Sequence, residues 1–67
     1  MRRYKGVVTA TTPVYVTLDM AGRIVNVPRM EIKDSVKNPF DLAVGDEVYF
    51  TLTDYAAELL GLGKLEN

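Results

Sequence analysis

The sequence predicts an all-β fold, a small five-stranded barrel with a short helix or turn between the third and fourth strands. Residues 44–52 place a Gly-Asp turn directly before an alternating segment, in which Val48, Phe50 and Leu52 share one face. Such period-two alternation indicates a sheet with one buried face and one solvated face. Similar alternation recurs near the N-terminus. A chain of 67 residues has room for one domain, so we expect residues 1–67 to form a single small barrel.

The first strand is predicted at residues 3–12. Gly6 has no side chain, so it permits bending or a close approach of another backbone. Pro13 lacks an N–H group and is expected to end the strand in a turn. One face of this strand is formed by Tyr4, Gly6, Val8 and Ala10.

The second and third strands are predicted at residues 14–19 and 23–28, as a hairpin. Gly22 suits the positive φ that a tight hairpin loop requires. Tyr15 is expected to point outward into solvent. The positions expected to face inward are Val14, Val16, Leu18, Val25 and Val27.

Residues 28–40 lack strand alternation, so one or two helical turns are predicted there. Met30, Val36 and Phe40 are expected to plug one end of the barrel. The fourth strand follows at residues 46–53, and Tyr49 lies on its outward face.

The C-terminal region allows two interpretations. Residues 54–58 favour a turn or a short helix, and residues 59–65 are then predicted as the last strand. This interpretation is favoured because Gly61 and Gly63 would each weaken a helix by about 1 kcal/mol. The alternative is a C-terminal helix over residues 54–62.

The predicted order is therefore three meandering strands, an irregular or helical connector, and two more strands. This order is typical of a five-stranded OB barrel. An SH3-like barrel is the nearest alternative.

The composition argues against an enzyme. The chain has no cysteine and no histidine, so it lacks thiolates, the commonest zinc ligand and the usual general base. Its single serine, Ser35, has no histidine to activate it. We therefore predict no catalytic residues, no metal site and no cofactor. The missing disulfides favour a reducing compartment, so a cytoplasmic location is expected. The sequence has no apolar run long enough to span a membrane, so we do not expect a membrane partner.

Several segments of the chain resemble the OB-fold RNA-binding family, which includes bacterial translation initiation factor one and the RNA-binding repeats of the largest small-subunit ribosomal protein. The resemblance implies a barrel that binds RNA, with aromatic and basic residues on the second and third strands. Tyr15 and Arg23 occupy those places. The matching segments are Gly6-Val7-Val8, residues 14–18, Gly22 with Val25 and Val27, residues 36–39 and residues 44–48.

Outward tyrosines and the basic first half supply the candidate binding residues. All basic residues except Lys64 lie within residues 1–37, although the net charge of the chain is −1. A base can stack on an exposed ring, and each phosphate contact by Lys or Arg releases counterions. The candidate nucleic-acid-binding residues are Lys5, Tyr15, Arg23, Arg29, Lys33 and Tyr49.

The sequence therefore predicts a non-enzymatic binding module for RNA or single-stranded DNA. The alternative is a protein–protein interaction or regulatory subunit of the phage or plasmid type. Most acidic residues lie within residues 38–67. In this alternative a protein partner, or a second copy joined basic half to acidic half in a homo-oligomer, takes the place of the nucleic acid.

Overall fold

The computed structural model describes residues 2–62, in which four antiparallel strands form one open sheet and a short helix follows. The order across the sheet is β3-β2-β1-β4. A mostly β fold is thus confirmed, whereas closure of a barrel by a fifth strand stays a prediction. The elements are β1 (Arg2–Thr11), β2 (Tyr15–Met20), β3 (Arg23–Pro28), β4 (Glu47–Leu52) and helix α1 (Asp54–Leu59), with 3₁₀ turns at Arg29–Glu31 and Pro39–Asp41.

The long strand β1 pairs with two neighbouring strands. Its residues 2–7 pair with β4, and its residues 7–11 pair with β2. A Cβ atom on Gly6 would lie 3.3 Å from the backbone oxygen of Asp19 and 3.0 Å from Cγ of Met20, so the predicted close approach of another backbone is confirmed. The register shifts between Val8 and Ala10. This irregularity turns Ala10 to solvent, so the prediction that Ala10 shares one face with Val8 is wrong.

The predicted hairpin between β2 and β3 is confirmed. Ala21 and Gly22 have φ angles of 58° and 90°, and two positive values are typical of a type I′ turn. The carboxylate of Asp19 accepts a hydrogen bond from the Gly22 N–H at 2.8 Å.

Val14 does not join the core, contrary to the sequence prediction. Its side chain is 69% exposed. The Thr12 hydroxyl oxygen accepts hydrogen bonds from the N–H groups of Val14 and Tyr15, at 3.2 and 2.9 Å. These bonds make Val14 part of the turn after β1, so that β2 begins at Tyr15.

The core lies between one face of the sheet, the connector and α1. Residues Met30, Val36 and Phe40 are exposed, so the prediction that they plug one end is wrong. Ile32 and Leu42 are the connector residues that are buried instead. The inward positions confirmed by burial are Val8, Val16, Leu18, Val25, Val27, Val48, Phe50 and Leu52.

Helix α1 begins and ends with recognisable caps. The Thr53 hydroxyl accepts a hydrogen bond from the Ala56 N–H at 3.1 Å. At the other end, Leu62 N–H donates to Ala57 O at 2.8 Å, and Gly61 has a φ of 77°. This is a Schellman ending, in which glycine supplies the left-handed residue.

The strand predicted at residues 59–65 is therefore wrong over residues 59–62. Leu59 is the last residue of α1, and residues 60–62 form its ending. Residues 63–65 of that prediction lie outside the described residues. No helix within residues 2–62 is long and apolar enough to cross a membrane.

Candidate nucleic-acid interface

Lys5 and Tyr49 face each other across β1 and β4 on the outer side of the sheet. The Lys5 Nζ lies 5.6 Å from the centroid of the Tyr49 ring, within the range of a cation–π contact. The Tyr49 side chain is 53% exposed. Alternation places both residues on the face opposite Val48 and Phe50, which are buried. The sheet thus presents an exposed aromatic ring with an ammonium group beside it.

Arg3 and Lys33 extend this surface by one row. Arg3 lies opposite Thr51 on β4, and Lys33 forms an antiparallel bridge with Thr51 from the other side. Residues directly opposite in antiparallel pairs point to the same face, so Arg3 and Lys33 flank the row of Lys5 and Tyr49. Both side chains are exposed. We call Arg3, Lys5, Lys33 and Tyr49 the cationic face.

The bridge at Lys33 is held in place by side chains as well as by the backbone. Thr51 N–H donates to Lys33 O at 2.9 Å, and Lys33 N–H donates to Thr51 O at 3.2 Å. The buried Thr51 hydroxyl also donates to the Asp34 carboxylate at 2.6 Å. Asp34 has a φ of 60°, a conformation that aspartate tolerates better than most residues. These contacts fix the position of Lys33 relative to β4.

The cations of this face have no carboxylate partner among the described residues. Within residues 2–62, the ion pairs with measured distances join Arg2 to Asp54 and Lys37 to Asp46. Two carboxylates lie on this outer side: Glu47, which is opposite Val7 on β1, and Asp34, which accepts the hydrogen bond of the Thr51 hydroxyl. Three cations against two carboxylates leave the cationic face with one excess positive charge, in a chain whose net charge is −1.

The Gly-Asp motif before β4 has a structural role. Asp46 Oδ2 accepts hydrogen bonds from the Ala43 N–H and from the Lys37 ammonium, both at 2.9 Å. The hydrogen bond from the Ala43 N–H is the larger cause, and the Lys37 ammonium the second, of a pKa of the Asp46 carboxyl that lies below its ordinary value. Gly45 supplies a φ of 96° to the same turn. Lys37 is thereby engaged and does not join the cationic face.

Arg29 is buried, with 6% of its surface exposed. Its Nε donates to Thr12 O at 2.9 Å, and its Nη1 donates to Pro39 O at 2.8 Å. Buried in this way, the guanidinium is unavailable to a phosphate. Arg29 therefore belongs to the structural framework, and we do not retain it as a binding residue.

Arg23 and Tyr15 lie away from the cationic face. Arg23 lies two residues before the buried Val25 on β3 and so shares its face, on the side of the sheet opposite Lys5, where its Nη2 donates to Gly61 O at 2.7 Å. Tyr15 is half-buried and lies beside Thr12, at the far end of β1. Six residues of β1 lie between Lys5 and Thr12, a distance of roughly 20 Å along the strand.

The structure thus brings together Lys5, Lys33 and Tyr49 and separates them from the other sequence candidates. Arg3 was not among the six candidates, although it belongs to the basic residues of the first half and lies two residues from Lys5 on a predicted strand. No group of three or more potential metal-ligating side chains forms within the described part of the chain.

Comparison of the chain with protein-family models, with curated proteins and with solved structures gave no match. The function is therefore argued from the residues of this chain alone.

Proposed function

We propose that this chain is a non-enzymatic module that binds single-stranded RNA or DNA on its cationic face. The observation that supports the proposal is the exposed Tyr49 ring with Lys5 beside it. Arg3 and Lys33 occupy the adjoining row of the same sheet face. An aromatic ring among cations is the combination that single-strand binders use, because bases stack and phosphates pair.

Each part of the surface has a separate role in this proposal. A base stacks on Tyr49, an interaction worth about 1–3 kcal/mol. Arg3, Lys5 and Lys33 contact phosphates along the strand, and each contact releases counterions. Neither stacking nor phosphate contact depends on the identity of the base, so we expect binding to tolerate many nucleotide sequences. Because the phosphate contacts release counterions, binding should weaken as the salt concentration is raised.

Glu47 limits the affinity. Its carboxylate shares the outer side of β4 with Tyr49 and repels a polyanion that extends along the strand. Because the net charge of −1 also gives no long-range attraction, we expect dissociation constants of about 10–100 μM at low salt. This places the module among weak binders that act when tethered or in repeated copies.

A titration with fluorescent single-stranded oligomers tests the proposal. Oligothymidylate and oligouridylate of about ten nucleotides are titrated at about 20 mM and about 150 mM salt. We expect saturable binding at the lower salt that weakens at the higher. Tyr49→Ala should weaken binding at least about fivefold, because a stacked base is lost.

Tyr55→Ala is the matched control. Tyr55 is 75% exposed on α1, outside the cationic face, so its removal should leave binding unchanged. An equal loss in both variants, or no salt-sensitive binding at tens of micromolar, would contradict the proposal.

A further inference from the structure

The free edge of β4 exposes backbone groups without hydrogen-bond partners. Thr51 exchanges both backbone bonds with Lys33, so its N–H and C=O point away from β1. Because these directions alternate along a strand, the backbone groups of Glu47 and Tyr49 point to the same free edge. Within residues 2–62, neither of these residues has a backbone partner on that side. Four donors and acceptors are therefore available to another strand.

A cleft lies directly beside these groups. It has a volume of about 210 Å³, and its apolar lining comes from Val36, Leu42 and Val48. This volume is below the roughly 300 Å³ at which small-molecule sites begin, so it suits one or two side chains. Residues 35–37 form the opposite wall. The cleft is thus placed to receive an inward-pointing side chain of a strand added to β4.

The charges at the two ends of this edge set a direction. Lys33 lies next to the Tyr49 end and has no carboxylate partner among the described residues, whereas Glu47 lies at the other end. The bridge between Lys33 and Thr51 is antiparallel, and a strand continuing in that direction passes Tyr49 first and Glu47 last. A complementary strand therefore carries a carboxylate near its N-terminal end and a cation near its C-terminal end.

We propose that the edge of β4 binds an extended peptide of a partner protein as an additional antiparallel strand. The peptide places an acidic residue opposite Tyr49, an apolar residue opposite Val48 and a basic residue opposite Glu47. Backbone bonds supply the attachment, and the cleft supplies the side-chain selectivity, as in other cases of strand addition. The Lys33 bridge already pairs with one position of this edge.

This inference goes beyond nucleic-acid binding and does not depend on it. The cationic face uses side chains that project from the sheet, whereas the peptide uses backbone groups in the plane of the sheet. Tyr49→Ala removes the ring and keeps the backbone. It should therefore abolish most oligonucleotide binding while peptide binding stays within twofold.

Defined peptides test the inference on the full-length chain. The probe is the blocked pentapeptide Thr-Glu-Leu-Lys-Thr, titrated while backbone amide signals are followed by NMR. We expect saturable binding with a Kd of about 0.1–1 mM, as suits a few backbone bonds and one buried side chain. The largest shifts should fall on Val36, Glu47, Val48 and Tyr49.

Backbone methylation distinguishes strand addition from simple apolar contact. Methylating the peptide nitrogens of Glu and Lys removes the donors that face β4 and should weaken binding at least tenfold. Methylating the Leu nitrogen, which points away from β4, should change affinity less than threefold. Equal effects of the two methylations, or absence of saturable binding at millimolar peptide, would overturn the inference.

A pair of valine variants tests the cleft. Val36 is fully exposed, so Val36→Glu should fold normally and, by placing a carboxylate in the cleft wall, weaken peptide binding at least fivefold. Val14→Glu alters another exposed valine, away from the cleft, and should leave binding unchanged. Shifts of Glu47 and Val48 caused by oligothymidylate, with none caused by the peptide, would assign the edge to nucleic acid and overturn the inference.

Discussion

Arg29 holds the connector between β3 and β4 to the rest of the fold. Its guanidinium is buried and donates to the carbonyl oxygens of Thr12 and Pro39, and also to Leu42 O at 3.4 Å. A buried charge is tolerated only where such bonds replace its hydration. One side chain therefore ties the turn after β1 to the second 3₁₀ turn and to a core residue.

We expect Arg29→Lys to destabilise the fold by about 1–3 kcal/mol. A lysine ammonium lacks the planar, forked group of arginine and cannot donate to all the carbonyl groups that the guanidinium contacts. Buried carbonyl oxygens would therefore lose their hydrogen-bond donors. Urea unfolding measures the change, with Arg3→Lys as the exposed control that stays within about 0.5 kcal/mol of wild type. An Arg29→Lys variant as stable as the control would show that these bonds are dispensable.

At the scale of elements, the entry to β4 depends on one turn. Asp46 receives hydrogen bonds from the Ala43 N–H and from the Lys37 ammonium, so it joins the turn of residues 43–46 to the segment that lines the cleft. Asp34 ties the other end of that segment to Thr51. The two carboxylates together position Lys33 and the cleft relative to β4.

The pKa of Asp46 predicts acid sensitivity of this arrangement. The carboxyl binds protons less readily in the folded chain than in the unfolded chain, where its pKa is about 3.8. Its stabilising contribution is therefore fully present above that value and is lost as the pH falls through the lower, folded pKa. We expect the melting temperature of wild type to fall more steeply below about pH 4 than that of Asp46→Asn.

Circular dichroism melts from neutral pH to strong acid measure this difference. Lys37→Met removes the ammonium and keeps the Ala43 N–H, so its acid dependence should lie between those of wild type and Asp46→Asn. Identical profiles for wild type and Asp46→Asn would show that the contacts of this carboxyl do not stabilise the folded state.

The elements also show which features the sequence can predict. The alternation of apolar and polar residues predicted β2, β3 and β4. Each of these strands buries apolar residues at every second position, and that spacing is visible in the local sequence. The end of α1 was mispredicted because Gly61 was counted as weakening a helix, whereas it ends one with a φ of 77°. Val14 was mispredicted because the Thr12 hydroxyl bonds within a turn, which alternation does not reveal.

At the scale of the whole molecule, the basic first half of the sequence does not become one basic surface. Arg29 is buried, Arg23 lies on the other side of the sheet, and Lys37 pairs with Asp46. Strand pairing selects Arg3, Lys5 and Lys33, because β4 pairs with the start of β1 on one edge and with Lys33 on its other edge. This selection depends on pairing between distant segments, so composition and local pattern could supply the candidates but not their grouping.

The molecule is large enough for binding at the cationic face to be distinguished from binding at the Tyr15 end of the sheet. Its extents are 31 × 22 × 18 Å. A bound oligonucleotide of a few residues should therefore perturb one region and leave the other unchanged.

The most direct test of the proposed function is an amide NMR titration of the full-length chain with oligothymidylate at low salt. We predict that the largest shifts map to Arg3, Lys5, Lys33 and Tyr49, and that the signals of Tyr15 and Arg23 stay in place. Largest shifts at Tyr15 and Arg23, or no shifts at saturating oligonucleotide, would contradict the assignment of this face to nucleic acid.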